Sequence, residues 1–549
     1  MNQKIKFPVK AVGMAFTIIM LLGTNAWAQK KAKPNIVLVL VDDLGFSDIG
    51  PYGAADIATP NLDRLAAEGI RFKEFYNNSI CAPTRASLLT GQYQHKAGVG
   101  FFNNNLGLPA YQGFLNKESL TLAEVLKTAG YTTLMSGKWH VGDDENQWPN
   151  QRGFDHFFGF IGGASNYYEI GNQGKPTVPL VKDNKPFYLE PGKYLTEEIT
   201  NNALGFLDDQ QKTNKPFFLY LAYNAPHWPL QALPADLAKY KGKYKKGWDS
   251  LRIERYQNAI KKGVIDAGQK IAVQDAQVKP WNKLTYDEQQ YWQTRQEVYA
   301  SMIDHVDQGI GRLLAKLKAL KQDDNTIIIF ISDNGAQGGN GTRLYTSRNT
   351  GLVGTAGSYE TQNSNWSQTG NSPHRDYKGA PYEGGISAPF IAWYPQKIKA
   401  SSISQGTAHL IDLAPTFYEL AGAKYPSVLN GVSSNALPGK SLLPVLTGKA
   451  GRVERGEPLF WERGGNKAVR DGDWKLVSSA AKGEKYELFN IAEDRAENLD
   501  VAAQHPDIVA RLKAAYAQWA EKNGVVDYNK LKSVPVRQQG APNRGNQNF

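Results

Sequence analysis

Residues 35–41, Asn-Ile-Val-Leu-Val-Leu-Val, form an almost unbroken apolar, β-branched run that stops at two adjacent carboxylates, Asp42 and Asp43. A strand with no polar face is buried on both sides, as in the interior of a parallel sheet covered by helices. The pattern recurs three times. Residues 131–135 lead into Gly137-Lys138-Trp139-His140, residues 217–221 into Ala225-Pro226-His227-Trp228-Pro229, and residues 326–331 into Ser332-Asp333-Asn334-Gly335. Helical segments separate these strands. One follows Thr59-Pro60 and stops at Gly69, one covers 120–129 before Gly130, and one covers 285–320 with Val298, Met302, Val306, Ile310, Leu313 and Leu317 at helical spacing. His305 and Asp307 on that last segment read as structural or exposed. The alternation predicts an α/β fold with a large, mostly parallel sheet flanked by helices. Ligands of such sheets bind beyond the carboxyl ends of the strands, where Asp42, Asp43, Lys138, His140, His227, Asp333 and Asn334 all fall. A single histidine there reads as structural; the whole set at one edge reads as a site.

Cys81 is the only cysteine in 549 residues, so no disulfide can form within the chain. A lone cysteine is usually a small buried hydrophobe. Here Pro83 and Thr84 suit a helix entry, and Arg85 places a permanent cation within one turn. The following Ala86-Ser87-Leu88-Leu89-Thr90-Gly91 reads as a short helix whose N-terminal partial charge points at Cys81. An acidic pair such as Asp42-Asp43 is usually a solvated turn, and its functional reading is ligation of a hard cation.

Cys81-Ala82-Pro83-Thr84-Arg85, with Leu88-Leu89-Thr90-Gly91 after it, resembles the signature of the formylglycine-dependent (type I) sulfatases. Thr84 stands where Ser is commoner, and Gln92 where Arg is commoner. The resemblance continues in motif order over nearly the whole chain. Lys378 before Tyr382-Glu383-Gly384-Gly385 fits it, Ser387 stands where the family often has Arg, and 107–113 and 297–313 are most similar to the bacterial arylsulfatase branch. The resemblance implies an alkaline-phosphatase-like fold and hydrolysis of sulfate esters to an alcohol and inorganic sulfate. It implies one Ca²⁺ held by Asp42, Asp43, Cys81, Asp333 and Asn334. It also implies that a formylglycine-generating enzyme matures Cys81 to 3-oxoalanine, which is hydrated to a geminal diol. Cys81, Arg85, Lys138, His140, His227 and Lys378 then form the catalytic set, with His227 protonating the departing oxygen and His140 taking the proton of the second hydroxyl. The implied substrate is a sulfated small molecule or sulfated glycan. A phosphonate monoester or phosphodiester hydrolase is a competing reading; the Lys138/His140 and Lys378/His227 pairs favour sulfate. A non-catalytic glycan-binding relative predicts broken motifs, and every expected ligand is present.

Residues 1–28 have the plan of a secretory signal peptide. Lys4, Lys6 and Lys10 precede an apolar run, and Ala26-Trp27-Ala28 makes a small-x-small cleavage site. Export to the periplasm or medium is expected, with no membrane span in the mature chain. Loss of the leader's three lysines lowers the formal charge from +11 to +8. No zinc-type Cys/His spacing or stripe of basic and aromatic residues points to nucleic acid. The expected organisation is a catalytic domain over 29–437, an α+β subdomain over 438–527 that includes a hairpin near Asp471-Gly472, and a flexible tail over 528–549. Residues 236–283 read as a polar excursion from the sheet, and 335–371 as part of the site rim.

Overall fold

The computed structural model describes residues 1–4, 32–168, 180–338, 349–483 and 485–535. The expected leader falls outside them apart from its first four residues, as do the middle of the 335–371 rim and the tail beyond 535. Among the described residues no helix is long and apolar enough to cross a membrane.

The core is one sheet of ten strands. They are β1 (Asn35–Val41), β2 (Ile70–Tyr76), β3 (Thr132–Lys138), β4 (His156–Phe160), β5 (Leu180–Lys182), β6 (Lys185–Phe187), β7 (Phe217–Ala222), β8 (Thr326–Ser332), β9 (Phe390–Trp393) and β10 (Ser402–His409). Their order is β10-β2-β9-β8-β1-β7-β3-β4-β5-β6. β9 runs antiparallel to both its neighbours, β5 and β6 close one edge antiparallel, and the remaining pairings are parallel. The four apolar strands recognised in the sequence are the contiguous centre, β8-β1-β7-β3. Their ends are level: Val41 pairs with Ser332, Leu40 with Ala222, and Ala222 with Gly137. Residues just past those ends therefore share one small region.

Alternate residues of β1 enter two separate cores. Ile36, Leu38 and Leu40 face one layer, where the helices Cys81–Thr90, Leu122–Thr128 and Leu413–Ala421 pack. Val37, Val39 and Val41 face the other, under the helices Pro60–Glu68, Leu195–Gln211 and Tyr286–Ala319. Every residue of β1 is buried, as expected of a strand covered on both faces. The polar 236–283 excursion docks on the second layer: its helix Gly247–Lys261 buries Trp248, and Arg255 pairs with Asp48 at 2.5 Å and Asp56 at 2.8 Å. Asp307 is buried and caps the Pro60–Glu68 helix, accepting from the N–H of Asn61 at 3.1 Å and of Leu62 at 2.8 Å.

Past residue 438 lies an antiparallel sheet of Leu459–Arg463, Asn466–Asp471, Trp474–Ser478 and Tyr486–Asn490, with the helix Pro506–Asn523 against it. It shares the first core layer, contributing Phe460, Val469, Leu476 and Leu488. A buried ionic cluster joins it to the large sheet: Lys475 lies 2.8 Å from both Glu383 and Glu497, and Arg495 lies 3.0 Å from Glu383. The tail differs from expectation at its start. Tyr528–Lys532 is a short helix, with Leu531 packed on Phe101, Leu106 and Tyr111, because this loop offers an apolar face.

Candidate active site

Asp42 and Asp43 follow β1 directly, and both are buried. Lys138, the last residue of β3, points its Nζ at Asp42 Oδ2, 2.5 Å away. Lys378 Nζ lies 2.6 Å from Asp43 Oδ1, and Asn334 Nδ2 donates to that same oxygen at 2.6 Å. Asp333 accepts the Asp43 N–H at 3.1 Å and lies 3.2 Å from Arg85 Nη2. Arg85 is fully buried beneath this cluster, with Nη2 3.5 Å from Asp42 and Nη1 donating to Lys138 O at 3.0 Å. It ties the ends of β1, β3 and β8 together.

Cys81 opens the helix Cys81–Thr90, whose residues are all buried. Thr84, the departure from the commoner Ser, donates its hydroxyl to Asp333 O at 2.8 Å and accepts the Asn78 N–H at 3.1 Å. Gln92 donates to Asn435 O and Ala436 O, both at 3.1 Å. Ser387, where the family often has Arg, lies 2.8 Å from Nη2 of Arg495, so a guanidinium reaches this place from elsewhere in the chain.

The two histidines sit differently. His140 is buried with neither ring nitrogen bonded. Its ring meets Phe102 edge-on at 5.0 Å, and a Cβ on Gly163 would stand 2.5 Å from its Nε2. His140 (φ 62°) and Asp43 (φ 65°) both hold left-handed backbone, which costs a non-glycine residue about 1–3 kcal/mol and clusters at functional sites. His227 Nδ1 is 2.7 Å from Trp228 O, so Nδ1 carries a proton. Its Nε2 faces Asp43 Oδ2 at 3.6 Å. The Tyr167 hydroxyl, 2.9 Å from Asn224 O and 2.8 Å from His227 O, fixes this loop.

Burial alone would raise the pKa of Asp42, but Lys138, His227, Arg85 and Lys378 hold it well below the carboxylate range. Burial and the Asp42 charge push Asp333 well up, against Arg85 and Lys138. Burial lowers His227 to about 4 against the pull of Asp43 and Asp42, and takes His140 well below its usual value. Burial also raises the Cys81 thiol, with Lys138 and Lys378 opposing.

The donor set fits a hard cation. Asp42 Oδ1, Asp43 Oδ2 and Asn334 Oδ1 are buried with no hydrogen-bond partner. Buried oxygens are rarely left this way, and oxygen-only ligation suits Ca²⁺. Ligand atoms of Asp42, Asp43 and His227 lie within 4.8 Å of one another. His227 therefore stands closer to the carboxylates than the sequence suggested, whereas the Asp333 oxygens are taken by Arg85 and the Asp43 N–H.

A family model described as Sulfatase matches residues 34–423. The chain belongs to the sulfatase family. A second model, N-sulphoglucosamine sulphohydrolase, C-terminal, matches residues 377–522 of this sulfatase. An uncharacterized sulfatase of Schizosaccharomyces pombe is 34% identical, over 91% of this chain and 96% of its own length. The arylsulfatase of Klebsiella aerogenes is 32% identical, over 77% and 96%. The structure of Ps i-CgsB in complex with k-i-k-neocarrahexaose superposes with a TM-score of 0.68 at 29% identity, covering 90% of this chain and 94% of that one. This sulfatase is a sulfate ester hydrolase, with the large mixed sheet and small C-terminal antiparallel sheet of its structural relatives.

Phe102 and Gly163, which hold the His140 ring, and Arg495 beside Ser387 escaped the sequence reading. Phe102 lies in an Asn- and Gly-rich stretch with aromatics, which is a weak signal for a loop; nothing in the sequence marks the other two.

Proposed function

We propose that this sulfatase works with Cys81 as formylglycine and one Ca²⁺ beside it. The observation that carries the reading is the set of unbonded buried oxygens on Asp42, Asp43 and Asn334, with Arg85, one helix turn after Cys81, 3.5 Å from Asp42. Asp42, Asp43 and Asn334 would hold the ion, with Asp333 and the modified Cys81 completing its shell. Bound there, Ca²⁺ supplies Lewis acidity and a template for sulfate oxygens. Formylglycine, once hydrated, would supply two geminal hydroxyls on one carbon, where serine has only one.

The residues of the chain then divide the work. Asp42, Asp43 and Asp333 are balanced by Arg85, Lys138 and Lys378, so the protein part of the site is near neutral. A dication makes it receptive to an anionic ester. Lys138 and Lys378 stand where they offset charge gathering on sulfate oxygens. His140, both nitrogens free of protein partners, is placed to accept a proton and to hydrogen-bond substrate. His227 carries its fixed proton on Nδ1, so donation from Nε2 to a departing oxygen requires the imidazolium. The nearby carboxylates favour that form and burial opposes it.

The likeness to Ps i-CgsB, crystallised with k-i-k-neocarrahexaose, and to BT4656, crystallised with its substrate D-glucosamine-2-N,6-O-disulfate, supports a sulfated glycan as the natural ester. The 1–28 leader supports export, after maturation by a formylglycine-generating enzyme. The test is mass spectrometry of the Cys81 peptide together with calcium analysis of active protein. An aldehyde or its hydrate at Cys81 with stoichiometric calcium is expected. Full activity with an intact thiol, or with stoichiometric zinc and no calcium, would refute the reading.

A further inference from the structure

We propose that Arg463 is a specificity residue of this site, set by the C-terminal sheet to bind a second anionic group, sulfate or carboxylate, on the alcohol that bears the scissile sulfate. The inference rests on the sulfatase reading above and extends it to the leaving-group side.

Arg463 ends the strand Leu459–Arg463 and pairs with Asn466 across a two-residue loop, Gly464-Gly465. Both glycines have positive φ, 56° and 83°, as a tight type I′ hairpin turn requires. The tip is anchored on three sides. Glu462 takes His95 Nε2 at 2.8 Å and the Gly465 N–H at 2.9 Å on its carboxylate, and Gln94 at 2.8 Å on its carbonyl. Asn466 Nδ2 donates to Gly379 O at 3.2 Å. The Gly379 N–H donates to Ser79 O at 2.7 Å, two residues before Cys81. The hairpin is thus fastened to the segment carrying Lys378 and to the entry of the Cys81 helix.

The guanidinium lies beside Gly379, next to Lys378 in the chain, and near the Phe101 ring. A Cβ on Gly379 would stand 3.3 Å from Arg463 Nη1, and the guanidinium carbon is 5.2 Å from the centre of the Phe101 ring. Phe101 adjoins Phe102, which packs on His140. Lys138 and Lys378 each have a carboxylate within 2.6 Å. Among the described residues Arg463 has none, and its buried Nε has no hydrogen-bond partner. Glu462, the nearest acid in sequence, spends its carboxylate on His95 and Gly465. A planar five-donor cation beside an aromatic ring, with no paired carboxylate among the described residues, matches sulfate or carboxylate geometry. The sulfate pocket already has its own cations, so this one faces the rest of the substrate.

The test is competitive inhibition of 4-nitrophenyl sulfate hydrolysis by the matured full chain. The inhibitors are a monosulfated disaccharide, its disulfated counterpart and its uronate counterpart. The wild type is expected to bind at least one dianionic inhibitor about 10- to 100-fold more tightly than the monosulfated one, the worth of a charged hydrogen bond. Arg463→Gln should bring that ratio close to one, and Arg463→Lys should keep part of it. The stronger inhibitor identifies sulfate or carboxylate as the preferred group. No dianion preference in the wild type, an undiminished preference in Arg463→Gln, or equal weakening toward all three inhibitors would overturn the proposal. Matured wild type that turns over no aryl sulfate would count against the catalytic reading instead. The ratio would then be read by direct binding titration, which separates the two failures.

Discussion

Lys138 Nζ and Asp42 Oδ2 stand 2.5 Å apart with both side chains sealed from water, joining the end of β3 to the end of β1 across β7. Replacing Lys138 removes the closest cation of the buried Asp42 and leaves Arg85, at 3.5 Å, to compensate it. Lys138→Met should therefore cost about 3–5 kcal/mol of stability. Adding Asp42→Asn should recover a measurable part of that loss. Denaturant midpoints of the wild type, both single variants and the double variant close the cycle. Strict additivity would show that the pair does not act as a unit.

Calcium should bind the folded chain and raise its thermal midpoint, because a ligand that binds only the native state stabilises it, by about 2.7 kcal/mol at a hundredfold excess over Kd. Asp43→Asn removes charge beside an unbonded oxygen and should abolish most of the shift. Differential scanning calorimetry with and without calcium reads this even in unmatured protein. An equal calcium response in the variant would place the ion elsewhere.

His227 should matter in proportion to how badly the leaving oxygen needs a proton. General acid catalysis is typically worth about 10²–10⁴-fold, and a nitrophenolate needs little of it. His227→Ala should slow cleavage of an alkyl or sugar sulfate far more than of 4-nitrophenyl sulfate. Lys138→Ala should slow both more evenly. Single-turnover rates of sulfur–oxygen cleavage are the measurement. Equal losses would reduce His227 to a binding group near the carboxylates.

Asp307 gives a pH signature away from the site. Burial raises its pKa to about 6 in the folded chain from an ordinary 3.8, although Leu62 and Asn61 donate to it. Between those values the native state holds a proton that the unfolded chain has released. This group's contribution to stability therefore falls as pH rises from about 4 to about 6, with a limiting slope near 1.4 kcal/mol per pH unit. Asp307→Asn should remove that fall while costing about 1–3 kcal/mol at neutral pH, since one amide oxygen cannot serve the donors of both carboxylate oxygens. Subtracting the variant's pH–stability curve from that of the wild type isolates the effect. A flat difference would refute it.

The central sheet was legible because strands buried on both faces leave continuous apolar runs, and the level ends of β8, β1, β7 and β3 follow from that burial. The edges were less legible. β2 mixes Arg71, Lys73 and Glu74 with its apolar residues, and β10 is Ser402–His409 with little hydrophobic signature, so neither announces itself. Asp42, Asp43, Asp333 and Asn334 could be grouped because each follows its strand directly. Arg463 could not, since it is far in sequence from Lys378 and comes beside that segment only by tertiary packing. Its one local clue is Gly464-Gly465 between two strand-like runs, which signals a hairpin but not where the hairpin docks.

The burial of the Cys81–Thr90 helix bears on the order of events in the cell. Cys81 is 2% exposed, and each residue from Ala82 to Thr90 is also buried. A second enzyme that must grip this peptide finds no purchase on the finished fold. If Cys81 is matured as proposed, its oxidation would belong to the interval between synthesis and folding. On that reading, a chain that closes before it meets its modifier would be locked in an inert form, which later addition of that enzyme would not rescue without unfolding.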